Sequence, residues 1–275
     1  MKRYKLYPVL FLCLILLSAC EALSFSPDPT PIVPPEGWQL VWQDEFDGKK
    51  IDLTNWTYDL GGGGWGNGEM QTYTDTTDNA HVDDGLLVIT AQKETLESGG
   101  SVFTSARMKT QGLQTFQYGR IEARIKVPAG KGLWPAFWML GENFPVVGWP
   151  DCGEIDIMEY VGREPDLIMG TIHGPGYSGA MGLGQWNRQD YNIADDFHTY
   201  AIEWDTDQIS WFYDGEIYST ITREVVGNRP WAFDQPFFII LNLAIGGTLG
   251  GIVTPDTEFP AEYLIDYVRV YQQVP

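Results

Sequence analysis

Between residues 120 and 127 the chain alternates strictly. Ile121, Ala123, Ile125 and Val127 are apolar, and Arg120, Glu122, Arg124 and Lys126 are charged. A period of two belongs to a strand with one packed and one wet face. Residues 86–91, 197–204, 237–244 and 264–271 are further apolar or alternating runs bounded by turn residues. Asp214-Gly215 separates the runs 209–213 and 216–221, a strong signal for a two-residue hairpin turn. Long amphipathic helical patterns are missing. Many short strands with Gly- and Asp-rich turns predict an all-β fold, two antiparallel sheets packed as a sandwich or jelly roll.

One alternating run carries chemistry. In Glu154-Ile155-Asp156-Ile157-Met158-Glu159, Glu154 and Asp156 alternate with Ile155 and Ile157. Simple alternation would put Met158 on the wet face and turn Glu159 inward. A β-bulge at or near Met158 returns Glu159 to the face of Glu154 and Asp156. Two glutamates on one groove, with an aspartate between them, can cleave a glycosidic bond through a covalent intermediate. A solvated strand face bearing ordinary charges explains the hexapeptide equally well, so its surroundings must decide.

The N-terminus adds a second theme. Lys2, Arg3 and Lys5 precede an apolar run over residues 7–17, too short to span a membrane and laid out like a secretory signal. It ends Leu17-Ser18-Ala19-Cys20, which resembles the bacterial lipobox, where cleavage before the cysteine leaves it as the lipid-bearing terminus. Residues 1–19 are then a lipoprotein signal peptide, and residues 20–37, with Pro27, Pro29, Pro31, Pro34 and Pro35, an anchor site and tether. Residues 38–275 are expected to fold as a single all-β domain, the body that would carry any catalysis. The expected location is outside the cytoplasm, held to a bacterial membrane or cell surface only through the lipid on Cys20. Cys152 is left without a partner for a disulfide and reads as a small buried residue.

Charge narrows the partners. The chain has 17 basic and 37 acidic residues, a net charge of −20. Loss of residues 1–19 removes three basic residues and no acidic one, which moves the net charge to −23. Such a surface repels phosphate backbones, so nucleic acid is not an expected partner, whereas a neutral polymer feels no repulsion. No His/Cys cluster has catalytic zinc spacing, so no cofactor is expected in the chemistry.

Aromatic placement suits a sugar polymer. Trp134 and Trp138 are four apart in one apolar run, hence on one strand face, and the glycine-rich loop 61–67 carries Trp65, followed by Glu69, Gln71 and Tyr73. Flat rings flanked by amides and carboxylates fit pyranose faces and hydroxyl edges. Trp38, Trp42, Trp56, Trp204 and Trp211 fall in periodic runs and are expected in the core.

The hexapeptide resembles the active-site strand of glycoside hydrolase family 16, and its extra Met158 resembles the bulged, laminarinase-like branch. Trp65-Gly66-Asn67-Gly68-Glu69-Met70-Gln71-Thr72-Tyr73-Thr74, Thr104-Ser105-Ala106-Arg107, Trp134-Pro135-Ala136-Phe137-Trp138-Met139-Leu140, Thr171-Ile172-His173-Gly174 and Asp266-Tyr267-Val268-Arg269-Val270-Tyr271 resemble further family signatures, in order. The resemblance implies a concanavalin-like jelly roll with a substrate cleft on its concave face. It implies Glu154 as nucleophile, Glu159 as acid/base and Asp156 as the carboxylate that hydrogen-bonds the nucleophile. Asn67, Arg107, Trp134, Trp138 and His173 match positions lining the non-reducing side of the cut. Glu45, Gly85 and Asp266 match a structural Ca²⁺ site remote from the cleft, and oxygen ligands on an acidic chain suit that ion.

The expected activity is that of a retaining endo-β-1,3-glucanase acting on laminarin-like glucan as a monomer. Mixed-linkage glucanase, agarase, carrageenase and transglycosylase share fold and chemistry, and a non-catalytic glucan-binding lipoprotein is the rival of another class. One departure stands out. Many laminarinase-like members have a tryptophan after the segment Asn242-Leu243-Ala244-Ile245-Gly246-Gly247, where this chain has Thr248-Leu249-Gly250.

Overall fold

The computed structural model describes residues 32–274. The segment expected to be a signal peptide, Cys20 and the expected tether before residue 32 lie outside the described residues. Residues 34–275 form one compact unit.

Two sheets make up the body. In the ten-stranded sheet, Gly119–Lys126 lies between His198–Trp204 and the long last strand Ala261–Gln273. The hairpin expected at Asp214-Gly215 joins Gln208–Tyr213 to Glu216–Thr222, and both turn residues have positive φ, 48° and 82°. That is what the turn matching the strands' right-handed twist requires. Trp38–Asp44 pairs only with the last strand.

The seven-stranded sheet carries the cleft. Its order runs Leu183–Arg188, Leu167–His173, Glu154–Tyr160, Leu133–Gly141, Phe237–Ile245, Arg107–Lys109, Thr57–Tyr58. Inner faces of both sheets merge in one apolar core that includes Trp56, Phe137, Ile155, Ile239, Trp211 and Val268. A smaller cluster of Leu140, Cys152, Phe238 and Ile240 packs beneath Trp138. Cys152 is fully buried, and burial followed by Glu154 pushes its thiol up to about 11, so it is an inert filler.

Trp56, Trp204 and Trp211 are core residues and Trp42 packs against the core. Trp38 departs from the expectation. It opens a strand that pairs on one flank only and is just partly buried.

Candidate active site

The register of Glu154–Tyr160 slips against both neighbours, between Asp156 and Met158 on one side and between Asp156 and Glu159 on the other. Ile157 and Met158, consecutive residues, therefore both point into the core, 2% and 0% exposed. Asp156 and Glu159 are left on the opposite face. The other sheet supports this bulge: Trp211 Nε1 donates to the Asp156 carbonyl at 2.8 Å. Gly170 makes room for that indole, since a Cβ there would lie 2.3 Å from Trp211 Cδ1.

Each carboxylate has its own partner. Glu154 Oε2 accepts from Trp149 Nε1 at 2.8 Å, and Glu159 Oε1 accepts from Trp134 Nε1 at 3.1 Å. His173 Nε2 lies 3.1 Å from Asp156 Oδ2 and 3.7 Å from Glu154 Oε1. The pairings Glu154↔His173 and Asp156↔Trp138 put these side chains on one face of the sheet.

The flank towards Arg107–Lys109 is densely built. The Arg107 guanidinium is sandwiched between the rings of Trp65 and Trp138, 5.0 and 4.7 Å from their centroids, and Asp59 Oδ2 is 2.9 Å from Arg107 Nε. Trp138 Nε1 donates to Asn242 Oδ1 at 2.7 Å. Glu69 accepts from Asn67, Gln71 and Tyr73 at 3.0, 2.6 and 3.3 Å, so the Asn67 amide nitrogen faces Glu69. The loop bearing Asn67 meets the turn at Gly247, beside Trp134: a Cβ on Gly247 would lie 3.2 Å from Asn67 O and 3.5 Å from Trp134 Cζ3.

With this geometry in place, the likenesses are specific. Residues 67–269 match Glycosyl hydrolases family 16. The chain belongs to glycoside hydrolase family 16. A β-glucanase of Rhodothermus marinus is 45% identical over 86% of this chain and 86% of its own length. An endo-β-1,3-glucanase of Pyrococcus furiosus superposes with TM-score 0.82 and 47% identity, covering 86% of this chain and 95% of that one. The laminarinase catalytic domain of Thermotoga maritima gives TM-score 0.82 at 45% identity, over 87% of this chain and all of that one.

This family 16 glycoside hydrolase keeps three acids in a space poor in positive charge. Burial first, and then Asp156, push Glu154 up to about 8, while His173, Trp149 and Arg107 pull it down. Asp156 is likewise raised by burial to about 8, relieved by a hydrogen bond with Glu154. Glu159 is raised well above the ordinary glutamate range by burial, then by Asp156 and Glu154, with His173 and Trp134 opposing. Ionised Asp156 makes the ionisation of both glutamates harder, and ionised Glu154 that of Glu159. Glu154, Asp156 and His173 also form a group compact enough to hold a metal. Three buried acids of raised pKa beside a histidine can equally well store and exchange protons.

Three members of the site escaped sequence reading. Trp149 sits in a short irregular segment before the active-site strand, with no periodicity to orient it. Asp59 reaches Arg107 and Lys109 only because Thr57–Tyr58 pairs with Arg107–Lys109. Asn242 belongs to a strand buried along all nine residues, where no alternation marks the cleft face.

The calcium positions gather at one corner. The last strand pairs Ile265↔Leu87 and then Val268↔Asp44, so Gly85 and Glu45 approach Asp266 and Tyr267 along the same edge. Glu45 gives both carboxylate oxygens to Arg269, at 2.8 and 2.7 Å. Asp266 Oδ2 accepts from Arg124 Nη1 at 2.7 Å. The Glu45 carboxylate is thus taken up by Arg269, which leaves main-chain oxygens and Asp266 Oδ1 as the ligands a cation could use here.

Proposed function

We propose that this enzyme hydrolyses β-1,3-glucan internally, with retention of configuration. The observation that carries the reading is the bulge, which returns Glu159 to the face of Glu154 and gives each carboxylate a different indole donor. Glu154 attacks the anomeric carbon as a carboxylate while Glu159 gives its proton to the departing glycosidic oxygen. A glycosyl ester on Glu154 results. Glu159, now ionised, takes a proton from water; that water attacks the anomeric carbon and frees Glu154. The electrostatics favour this division. Burial and the neighbouring Asp156 and Glu154 hold Glu159 towards its protonated form, while His173, Trp149 and Arg107 favour the ionised form of Glu154.

Support for the linkage comes from the endo-β-1,3-glucanases and laminarinases that this chain resembles over most of its length. A pure binding protein would gain nothing from paired acids held at raised pKa. The test is a panel of laminarin, lichenan, agarose and carrageenan compared side by side. Laminarin should be cut fastest, giving short oligosaccharides early, with the β-anomer first by NMR. Faster cleavage of agarose would overturn the substrate, and early α-anomer the stereochemistry.

Two further elements complete the proposal. Export and lipidation at Cys20 would hold the catalytic body near a membrane at the end of a proline-rich tether, and Cys20→Ala should then release the protein from membranes or leave it unprocessed. A calcium ion at the Glu45–Gly85–Asp266 corner would bind only the folded state, so chelation should lower the melting temperature without slowing room-temperature turnover.

A further inference from the structure

Opposite the Arg107 flank, the face that carries the acids continues over two more strands, Leu167–His173 and Leu183–Arg188. From Asp156 the pairing runs outward to Thr171 and then Gly184, and from Glu159 to Met169 and then Trp186. Gly184 has no room for a side chain: a Cβ would lie 2.4 Å from Gly170 O and 2.6 Å from Thr171 Oγ1. Gly182 is equally confined, with His173 Cε1 2.4 Å from its would-be Cβ. With no side chain on either glycine, the floor between the acids and the outermost strand is formed by Thr171 and Met169. Beside it stands Trp186, 61% exposed, on the outermost strand of the sheet.

Directly paired residues project to the same face, so Trp186 shares the face of Glu159. Two strand spacings separate their backbones, about 10 Å. The strand is anchored through the ladder to Leu167–His173 and at its end by Arg188 on Asp166 and Glu164. Nothing in the packing asks for an indole here. Trp56, Trp204 and Trp211 earn their place by burial, whereas Trp186 leaves most of its ring in water.

We propose that Trp186 is the aromatic platform for the leaving-group side of the glucan, stacking on a sugar beyond the bond that is cut. The inference rests on Glu154 and Glu159 being the hydrolytic pair. By the family resemblance Arg107 and Trp138 line the side that becomes bound to the enzyme, so the strands beyond Glu159 on the other side take the portion that departs. The ring meets the apolar face of a pyranose, and its position two strands from Glu159 suits a chain that crosses the sheet. Trp186 is a specificity-determining residue: it rewards long substrates and leaves the chemistry alone.

The test compares a long and a truncated substrate in Trp186→Ala and Trp186→Phe. The long one is whichever of laminarin and lichenan the wild type cuts faster, so an error in linkage leaves the test intact. The truncated one is an aryl β-glycoside of the matching disaccharide, whose aryl group leaves without reaching Trp186. In Trp186→Ala, kcat/KM on the polymer should fall roughly three- to tenfold, with the aryl glycoside within twofold of wild type. Trp186→Phe should recover most of the loss, and the melting temperature should be unchanged in both. An equal loss on both substrates, or no loss on either, would overturn the proposal. A wild type that cleaves neither glucan nor glycoside would refute the hydrolytic pair itself.

Discussion

The two sheets treat their acids in opposite ways. On the outer face of the ten-stranded sheet, acids sit against arginines: Glu122 and Glu203 on Arg120, Asp266 on Arg124, Glu45 on Arg269. On the concave face of the seven-stranded sheet, Glu154, Asp156 and Glu159 share one strand, and among the described residues only His173 comes within ion-pair reach of them. Indole N–H groups take the place of cations. An arginine would hold a carboxylate ionised at every working pH, whereas an indole orients it and leaves its proton exchangeable. The outer face secures folding, and the concave face gives up stability to keep protons available.

The largest effect should come from removing the acids. Glu154→Gln should cut kcat by about 10⁴-fold or more, as loss of a covalent nucleophile does. Glu159→Ala should cost roughly 10²- to 10⁴-fold on glucan, with partial rescue by azide on an activated glycoside. Full activity in either variant would erase the contrast between the sheets.

The same substitution should stabilise the fold. These acids have native pKa values above their unfolded ones, so the native state holds protons that the unfolded chain releases as pH rises from about 4 towards 8. Stability from the cluster is present at low pH and lost across that window. Glu154→Gln should therefore raise the melting temperature at pH 8, by roughly 4–8 °C for about 2 kcal/mol, with little change at pH 4. A gain of equal size at both pH values would show that charge is not its cause.

Trp149→Phe sharpens the role of the indoles. It removes a donor that pulls Glu154 down, so the acidic limb of the kcat/KM profile should move to higher pH, with roughly a tenfold loss at the optimum. His173→Gln should move that limb the same way, because His173 lowers both Glu154 and Glu159. An unmoved limb in both variants would remove these groups from the account.

The smallest effect on activity belongs to the outer face. Arg269→Met leaves Glu45 without its partner and should lower the melting temperature by roughly 4–8 °C, for about 2 kcal/mol. Initial rates at 25 °C should stay within twofold. A large loss of activity without loss of stability would mean that the two faces are coupled.

Periodicity explains how much of this was readable in the sequence. Gly119–Lys126 announces itself because one face is wet, and the hairpin at Asp214-Gly215 because its turn needs positive φ. The bulge was legible because two acids and a third were out of phase, and only one extra residue reconciles them. Asn242 was not, because its strand is covered on both faces and the alternation vanishes. Trp149 and Asp59 act through tertiary pairing that no local pattern encodes. Trp38 has the periodicity of a core residue but opens a strand with one partner, so solvent reaches it. Trp186 carries no signal of its own in the sequence, because only the register of its strand places it on the face of Glu159.

The central claim is that Glu154 forms a bond to the sugar while Glu159 moves the proton. An activated 2-deoxy-2-fluoro β-glycoside of the preferred disaccharide slows breakdown of the covalent intermediate, so the adduct can be digested and located by mass spectrometry. The account predicts one sugar esterified to Glu154 in the peptide spanning the active-site strand, and none in Glu154→Gln. A label on Glu159 or Asp156, or steady turnover with no trapped adduct, would contradict it.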